Sequence, residues 1–313
     1  MKGEEKPIFS IIIPAYNRAW CIERAVESIL SQNIQDWELI IVDDGSTDNT
    51  KNIIKQYLTD QRVRYFYKEN GGVGSARNIG MKNLNSDVFM FLDSDDELVS
   101  GALKLIYLAV QKYKDKKIFS FRAIDQNGQQ VSYSEKVLGD RIINFADFVS
   151  QEYIKGEAFL VFKRDIFRGK YFDEDVNGGE GLLLLGLIKE NDIMLVDEDA
   201  RIYHIESPDS LVNSKITNKK VNNICKIQMR LIEKYGGDLK RNNRKYLGTA
   251  YFVLARALAL SGKKNKSLKY FFLGCRYNSL DIKRILIYGV SLFDYNLKIN
   301  NAISSLCHKH EYE

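Results

Sequence analysis

The chain has 313 residues and a formal net charge of +5, with 45% hydrophobic and 28% charged residues. These values are ordinary for a globular protein and exclude a collagen-like or a disordered chain, and the length allows one large domain or two ordinary ones. Four cysteines without C-x-x-C spacing and three histidines argue against a disulfide framework and a histidine-rich metal centre.

The N-terminal segment indicates a cytoplasmic protein. Residues 1–6 are mostly charged, and the apolar run behind them, residues 8–13, is too short for the core of a signal peptide. Elsewhere no run approaches the roughly 20 apolar residues that a membrane span needs. We therefore expect a cytoplasmic location, with peripheral contact to the inner face of the cell membrane left open.

In chain order, residues 8–110 alternate between apolar strands and amphipathic helices. Strands are predicted at residues 8–13, 38–42, 63–67 and 88–92, each followed by helical periodicity. This alternation predicts an α/β fold with a mostly parallel sheet, which binds ligands at the carboxyl ends of its strands. Shorter strands at 118–121, 158–162 and 193–196 precede a helical hairpin at 251–260 and 267–272.

The charge is unevenly distributed. Residues 214–313 have 20 Lys and Arg against 6 Asp and Glu, whereas the remaining residues have 26 against 35. We therefore predict a catalytic domain over residues 1–213 and a basic α-helical domain over 214–313. The basic domain suits an anionic membrane face or an anionic acceptor, and equally a solvated surface or a dimer interface. We expect no nucleic-acid partner, because no recognition motif accompanies the charge, and the oligomeric state stays open.

A polar cluster follows each of the first four predicted strands. The clusters are Ala15-Tyr16-Asn17, Asp43-Asp44, Gly71 to Arg77 and Asp93 to Asp96. The carboxyl ends of parallel strands meet at one edge of a sheet, so these four turns are expected to converge on a single site.

Asp93 and Asp95 point most directly to chemistry. They follow an apolar strand two residues apart, so on an extended segment their carboxylates share a face. Close carboxylates repel each other unless a cation lies between them, and Mg²⁺ or Mn²⁺ is usually held by one or two carboxylates plus substrate phosphates. The same residues also suit a turn or a helix cap. The pattern favours a divalent-metal site for a phosphorylated substrate.

Five segments together resemble the family-2 glycosyltransferases with the GT-A fold, in the family's order and spacing. They are Ser10–Asn17, Ala25–Gln32, Glu38–Thr47, Gly71–Gly80 and Phe91–Glu97. The resemblance implies a GT-A domain and an inverting, metal-dependent transfer from a UDP-sugar. The acceptor would be a hydroxyl of a glycan, a lipid-linked sugar or another molecule, in the synthesis of a surface polysaccharide or glycoconjugate.

The resemblance also implies roles for individual residues. Tyr16 would contribute an aromatic wall for the nucleotide base, Asp44 would accept a hydrogen bond from the uracil N–H, and Arg77 would contact the diphosphate or brace the metal carboxylates. Asp43 and Asp44 suit a helix cap as well, and Arg77 suits the surface of a helix equally well. The residues expected at the donor are Pro14, Ala15, Tyr16, Asn17, Asp43, Asp44, Gly71, Gly72, Arg77, Asp93 and Ser94.

The expected cofactor is Mn²⁺ or Mg²⁺. Asp95 is the first choice of direct ligand, Asp93 would assist it or bind the ribose, and Asp96 would lie behind them. His204 lies where relatives often place a Tyr-Arg pair or a histidine near the diphosphate, which makes it the third candidate. A lone histidine is nevertheless more often structural than a ligand.

The proton acceptor departs from the family pattern. The family usually supplies it from a Glu-Asp pair, but here the segment reads Gly179-Glu180-Gly181, with glycine at the aspartate position. Glu180 is the expected base, ahead of Asp173 or Asp175, although it also suits a helix N-terminus. Gly181 keeps a second hypothesis open, a non-catalytic nucleotide-sugar-binding protein or interaction module. A nucleotidyltransferase is disfavoured, because the glycine-rich N-terminal loop of that class is absent.

Overall fold

The computed structural model of the chain describes residues 6–204 and 217–277. The chain divides into two compact units, and the division falls between residues 206 and 207. The boundary predicted after residue 213 lies outside the described residues.

The described part of the first unit is built around one sheet of nine strands. The strands are β1 (Phe9–Ala15), β2 (Trp37–Asp43), β3 (Val63–Tyr67), β4 (Val88–Phe91), β5 (Glu97–Leu98), β6 (Ile118–Asp125), β7 (Arg141–Ile143), β8 (Phe159–Lys163) and β9 (Ile193–Tyr203). Their order across the sheet is β3-β2-β1-β4-β8-β6-β9-β5, and β7 pairs with β9.

The sheet is parallel in its first half and mixed in its second. β3, β2, β1 and β4 are all parallel neighbours, as the alternation of strands and helices predicts. β8 is antiparallel to both β4 and β6, whereas β6 and β9 are parallel with a register shift at Arg122. The fold class is confirmed, but the parallel pairing is concentrated in the first four strands.

Helices cover both faces of this sheet. They are α1 (Ile22–Leu30), α2 (Thr50–Lys55), α3 (Val73–Asn83), α4 (Ala102–Lys112), α5 (Phe145–Ser150) and α6 (Glu180–Glu190), with short 3₁₀ turns at Gln56–Thr59 and Arg164–Ile166. Successive residues of β1 enter different cores: Ile11 and Ile13 pack in the cluster with α1 and α4, and Ile12 packs in the cluster with α3 and α6. This two-sided burial explains why the first strands read as continuous apolar runs.

Pro14 is compatible with its place in a central strand. Ile12 accepts a hydrogen bond from the Leu92 N–H on the β4 side, and Ala15 accepts one from the Asp44 N–H on the β2 side. Pro14 is two residues beyond Ile12 and therefore faces the β4 side, where strand pairing has already ended at Ile12 and Phe91. Its missing N–H consequently costs no ladder hydrogen bond.

The described part of the second unit consists of three helices. These are α7 (Asn218–Asn242), α8 (Arg244–Leu260) and α9 (Lys264–Tyr277). The predicted helical hairpin is confirmed in α8 and α9, where the buried Ser267 hydroxyl donates to the Ala255 carbonyl at 2.7 Å. Throughout both described ranges, every helix is too short or too polar to traverse a lipid bilayer.

Candidate active site

Hydrogen bonds connect the predicted turns at the carboxyl end of the sheet. Asn17 donates its N–H to the Ser46 hydroxyl at 2.9 Å and accepts the Thr47 N–H on its side-chain oxygen at 2.8 Å. Its φ of 53° is left-handed, a conformation that asparagine tolerates better than most residues. Lys68, just after β3, donates its N–H to the Asp43 carbonyl at 3.0 Å. These bonds join the turns that follow β1, β2 and β3 at one edge of the sheet, as predicted for those three turns.

Asp44 holds the glycine loop at the end of β2. Its Oδ1 accepts from Lys68 Nζ at 2.5 Å and from the Gly71 N–H at 2.9 Å, and its Oδ2 accepts from the Gly72 N–H at 2.7 Å. The residue is 3% exposed. A carboxylate oxygen has two lone pairs, so Oδ2 keeps capacity for one more donor, as the predicted contact with uracil requires.

Asp43 and Ser94, two of the residues predicted to lie at the donor, are both buried. Asp43 is fully buried, and its two carboxylate oxygens accept from the Ser46 N–H at 2.8 Å and the Tyr65 hydroxyl at 2.7 Å. It therefore shapes the turn after β2 from inside the protein. Ser94 is 5% exposed and lies on the protected side of its segment.

The three residues at the end of β1 differ in their exposure. Pro14 and Ala15 are buried, whereas Tyr16 is 44% exposed. Tyr16 is therefore the one of the three that offers a side-chain surface to a flat ring, and Pro14 and Ala15 support it from the strand.

The acidic segment forms a turn and not the extended segment that its spacing predicted: β4 ends at Phe91, and the Asp96 N–H donates to the Asp93 carbonyl at 3.1 Å. Asp93 and Asp95 are half-buried, whereas Ser94 and Asp96 are buried. Within the described ranges, the Asp95 carboxylate forms neither a hydrogen bond nor an ion pair, and its backbone carbonyl is fixed by Arg24 Nη2 at 2.6 Å. Asp95 therefore presents a positioned carboxylate that is not used within this part of the protein.

Two arginines hold Asp93. Arg77 Nη2 donates to Asp93 Oδ1 at 2.9 Å, and Arg201 Nη1 lies 3.9 Å from Asp93 Oδ2. Burial pushes the pKa of Asp93 upward, but these two cations outweigh burial, so the pKa lies below its usual value. Asp93 is therefore ionised at neutral pH, as a metal ligand must be.

Arg201 is a site residue that the sequence analysis missed. Its side chain is 5% exposed, and Nη1 lies 3.3 Å from Asp96 Oδ2 while Nη2 donates to the Glu157 carbonyl at 3.1 Å. The available signal was an arginine inside the otherwise apolar end of β9, because a buried cation needs anionic partners. Its partners come from other strands and turns, so only the fold identifies them.

His204 contacts the acidic segment through its backbone, because its N–H donates to Asp96 Oδ1 at 3.2 Å, while its ring contacts Glu97. Its Nε2 lies 2.7 Å from Glu97 Oε1, and the same carboxylate oxygen forms an ion pair with Arg24 Nε at 3.1 Å. Across residues 6–204 and 217–277, no group of three or more His, Cys, Asp and Glu side chains is placed to hold a metal ion. The structure thus does not bring His204 together with Asp93 and Asp95. Two carboxylates still fit Mg²⁺ or Mn²⁺ when phosphate oxygens supply further ligands.

Glu180 and the acidic segment meet at Arg77. Glu180 opens α6 with a side chain that is 31% exposed, and its Oε1 lies 3.6 Å from Arg77 Nη1. Arg77 forms cation–π contacts with the Phe91 and Phe172 rings, whose centroids lie 5.3 and 5.8 Å from its guanidinium carbon. One guanidinium therefore bridges a candidate metal ligand and the candidate base.

These groups surround a cavity of about 220 Å³. Its charged lining comes from Arg77, Asp93, Glu157, Glu180 and Arg201. Its apolar lining comes from Phe91, Ala158, Phe159, Leu160, Phe162, Phe167, Phe172, Leu183, Leu184 and Leu187, with Gly181 beside Glu180. The site thus combines cations that stabilise anionic phosphate, a partly exposed carboxylate that can accept a proton, and an apolar wall.

The Gly72→Ala variant is expected to weaken UDP binding at least about tenfold and to lower the free energy of unfolding by about 1–3 kcal/mol. Gly72 has a φ of +91°, and a Cβ there would collide with the Asn177 side chain, which displaces the N–H that donates to Asp44. Calorimetric titration with UDP and urea unfolding measure the two effects. Gly128→Ala is the control, because φ is +79° but a Cβ meets nothing within 4 Å. Equal UDP affinity in the two variants would contradict this role of Gly72.

Asp96 predicts a particular pH dependence of stability. Burial raises its pKa to about 7, against the opposing effect of Arg201, whereas the ordinary value is 3.8. Between these two values the folded chain holds a proton that the unfolded chain has released. The bound proton therefore contributes its full stabilisation of the folded state at low pH. This contribution falls as the pH rises from 3.8 and is lost once the pH has passed through about 7.

The Asp96→Asn variant removes this titration. The free energy of unfolding of the variant minus that of the unsubstituted protein is expected to increase by on the order of 2 kcal/mol from pH 5 to pH 8. Urea unfolding of both proteins in EDTA at the two pH values gives the difference, and Asp115→Asn, an exposed site, serves as the control. A difference that stays constant with pH would show that Asp96 is ionised throughout.

The fold and the site together define a glycosyltransferase with the GT-A fold and a helical C-terminal region. The profile of glycosyl transferase family 2 matches residues 10–169. A Campylobacter jejuni protein named GalNAc(5)-diNAcBac-PP-undecaprenol beta-1,3-glucosyltransferase is 31% identical over 307 residues, which cover 96% of each chain. The present chain belongs to glycosyl transferase family 2.

Further comparisons agree with this assignment. The uncharacterized glycosyltransferase EpsJ of Bacillus subtilis is 30% identical over 219 residues, which cover 66% of this chain and 63% of EpsJ. Residues 1–349 of S. aureus TarS, crystallised with UDP-GlcNAc, superpose with a TM-score of 0.62 at 15% identity, over 96% of this chain and 91% of that one. At this identity the TarS structure supports the fold alone.

Proposed function

We propose that this glycosyltransferase is an inverting, metal-dependent enzyme that moves a sugar from a UDP-sugar to a hydroxyl acceptor. The observation that carries the proposal is the bridge made by Arg77 between Asp93 and Glu180. Nη2 of Arg77 lies beside the candidate metal ligand and Nη1 beside the candidate base, and this supports a reaction in which leaving group and nucleophile meet near one cation.

The donor side is formed by residues after the first four strands. Tyr16 would stack on the base, while Asp44 would hold the Gly71–Gly72 loop against the nucleotide and accept the uracil N–H. Asp95 and Asp93 would hold Mn²⁺ or Mg²⁺ together with the diphosphate. When bound, the ion neutralises the charge that develops on the departing UDP.

The acceptor side is formed by Glu180. In an inverting transfer, the acceptor oxygen forms a bond to the anomeric carbon while the bond from that carbon to the phosphate oxygen breaks on the opposite face. The proton of the acceptor hydroxyl passes to the Glu180 carboxylate, and UDP leaves with the electron pair of the broken bond. Arg77 would keep the carboxylate of Glu180 oriented and add positive charge beside the diphosphate.

For the acceptor, we propose a glycan or a lipid-linked sugar of a surface polysaccharide or glycoconjugate. The C. jejuni relative is named for a lipid-linked acceptor and covers nearly the whole chain. The excess of 20 basic over 6 acidic residues in 214–313 favours peripheral contact with anionic lipid, at about 1 kcal/mol per basic residue near such a surface. Retention on anionic vesicles that is unaffected by raised salt would contradict this electrostatic contact.

A panel of UDP-glucose, UDP-galactose and their N-acetyl forms tests the proposal. We expect release of UDP from at least one donor in the presence of Mn²⁺, and transfer when a suitable acceptor is added. Gly181 favours one alternative, a nucleotide-sugar-binding protein without catalysis. UDP binding without donor hydrolysis and without transfer to any acceptor would support that alternative. It would contradict the proposed sugar transfer.

A further inference from the structure

The cavity beside Glu180 keeps apolar side chains partly open to solvent. Apolar surface in a concavity next to reactive groups is typical of a ligand site, because a ligand that covers it removes it from water. The half-buried apolar residues of the lining are Phe91, Ala158, Leu160, Phe172, Leu183 and Leu184.

The rim of this cavity restricts what can enter it. The carboxylates of Glu157 and Glu180 are partly exposed there, and each pairs with a more buried guanidinium group. Arg201 Nη2 lies 3.6 Å from Glu157 Oε2, and Arg77 Nη1 lies 3.6 Å from Glu180 Oε1. A suitable ligand therefore needs a polar part with both a donor and an acceptor at the rim and a small apolar part inside. An amide that carries a methyl group has this pattern.

The ligand must also be attached close to the reacting atom. Glu180, which accepts the proton in the proposed reaction, lines the cavity itself. The apolar group must consequently lie within a few bonds of the acceptor hydroxyl. The hydrocarbon tail of a lipid-linked acceptor does not meet this condition, because the acceptor sugar and the diphosphate separate the tail from the reacting oxygen.

Gly181 keeps the rim open beside the base. It lines the cavity, it is exposed, and a Cβ built on it would meet nothing within 4 Å. Packing therefore does not demand glycine here. The missing side chain instead leaves room next to Glu180 for a substituent of the acceptor.

We propose that this cavity binds the acetamido group of the acceptor sugar, carried by the carbon next to the reacting hydroxyl. The methyl group packs against Phe172 and Leu184, and the amide lies at the charged rim. The inference rests on the proposed function and specifies its acceptor as a 2-acetamido sugar.

Matched acceptors test the inference. The p-nitrophenyl glycosides of N-acetylgalactosamine and galactose, and those of N-acetylglucosamine and glucose, differ within each pair in the acetamido group. With Mn²⁺ and the UDP-sugar that the panel identifies, kcat/KM is expected to favour one acetamido acceptor over its hydroxyl partner by at least about fourfold, the factor supplied by burial of a single methyl group. Leu184→Phe, which fills the cavity, is expected to remove this preference.

The control is Leu108→Phe on α4, where the side chain is 53% exposed and lies outside the cavity lining; it is expected to keep the preference. Calorimetric titration with UDP checks that both variants fold. Two outcomes overturn the inference: transfer without acetamido preference in the unsubstituted protein, or a preference that persists in folded Leu184→Phe. Neither outcome contradicts the proposed sugar transfer. Absence of donor hydrolysis and of transfer with every donor overturns the proposed function, and the inference with it.

Discussion

Replacement of Glu180 by glutamine is expected to lower kcat by about two to four orders of magnitude, the range that general base catalysis supplies. The amide keeps the size of the side chain and its place at the start of α6, but it cannot accept the proton of the acceptor hydroxyl. UDP binds through other residues in the proposed site, so its affinity is expected to stay within about twofold. Steady-state transfer rates and calorimetric titration with UDP measure the two quantities.

Glu190→Gln is the matched control for this variant. Glu190 closes the same helix and pairs with Lys170 at 2.6 Å, where its side chain is 61% exposed. The control is expected to transfer sugar at the normal rate. A Glu180→Gln enzyme with unchanged kcat would remove Glu180 from the mechanism, and Asp173 and Asp175 would become the next candidates.

Removal of the metal is expected to abolish transfer, and Asp95→Asn is expected to weaken Mn²⁺ binding in the presence of UDP by more than about 100-fold. Substitution of residues that merely support a metal ligand typically costs 10- to 100-fold, so loss of a direct ligand should cost more. Transfer rates in excess EDTA and after addition of Mn²⁺ test the metal dependence. Calorimetric titration of Mn²⁺ into the complex with UDP measures the Mn²⁺ affinity.

Asp115→Asn serves as the control, because Asp115 is 75% exposed and pairs with Lys116, away from the acidic segment. It is expected to bind Mn²⁺ and UDP as the unsubstituted protein does. Full transfer activity in EDTA would contradict metal dependence. Unchanged Mn²⁺ affinity in Asp95→Asn would place the ion elsewhere.

The sequence pattern was sufficient to predict the polar turns that follow the first four strands. Asp93 and Asp95 are both partly accessible, as their spacing predicted, but the reason differs. β4 ends at Phe91, and a turn in which the Asp96 N–H donates to the Asp93 carbonyl at 3.1 Å sets the exposure of these residues. The parallel order of β1 to β4 follows from the alternation of strands and helices, which brings the polar turns to one edge.

Contacts between distant segments were not predictable in this way. Asp43 and Asp44 are adjacent in the sequence, yet Asp43 is buried inside the turn and Asp44 holds the glycine loop. Their partners are Tyr65 on β3 and Lys68 just after it. Arg201 meets Asp96 only because β9 reaches the acidic segment through the mixed half of the sheet. The ring of His204 is held by Glu97, and no local pattern specifies that pairing.

The three hydrogen bonds to the Asp44 carboxylate have a consequence for the kinetics of donor binding. They fix the Gly71–Gly72 backbone without help from a nucleotide, so little loop entropy remains to be lost when the donor arrives. A preorganised wall of this kind favours association in a single step at a rate set by diffusion and charge, rather than one limited by slow loop closure.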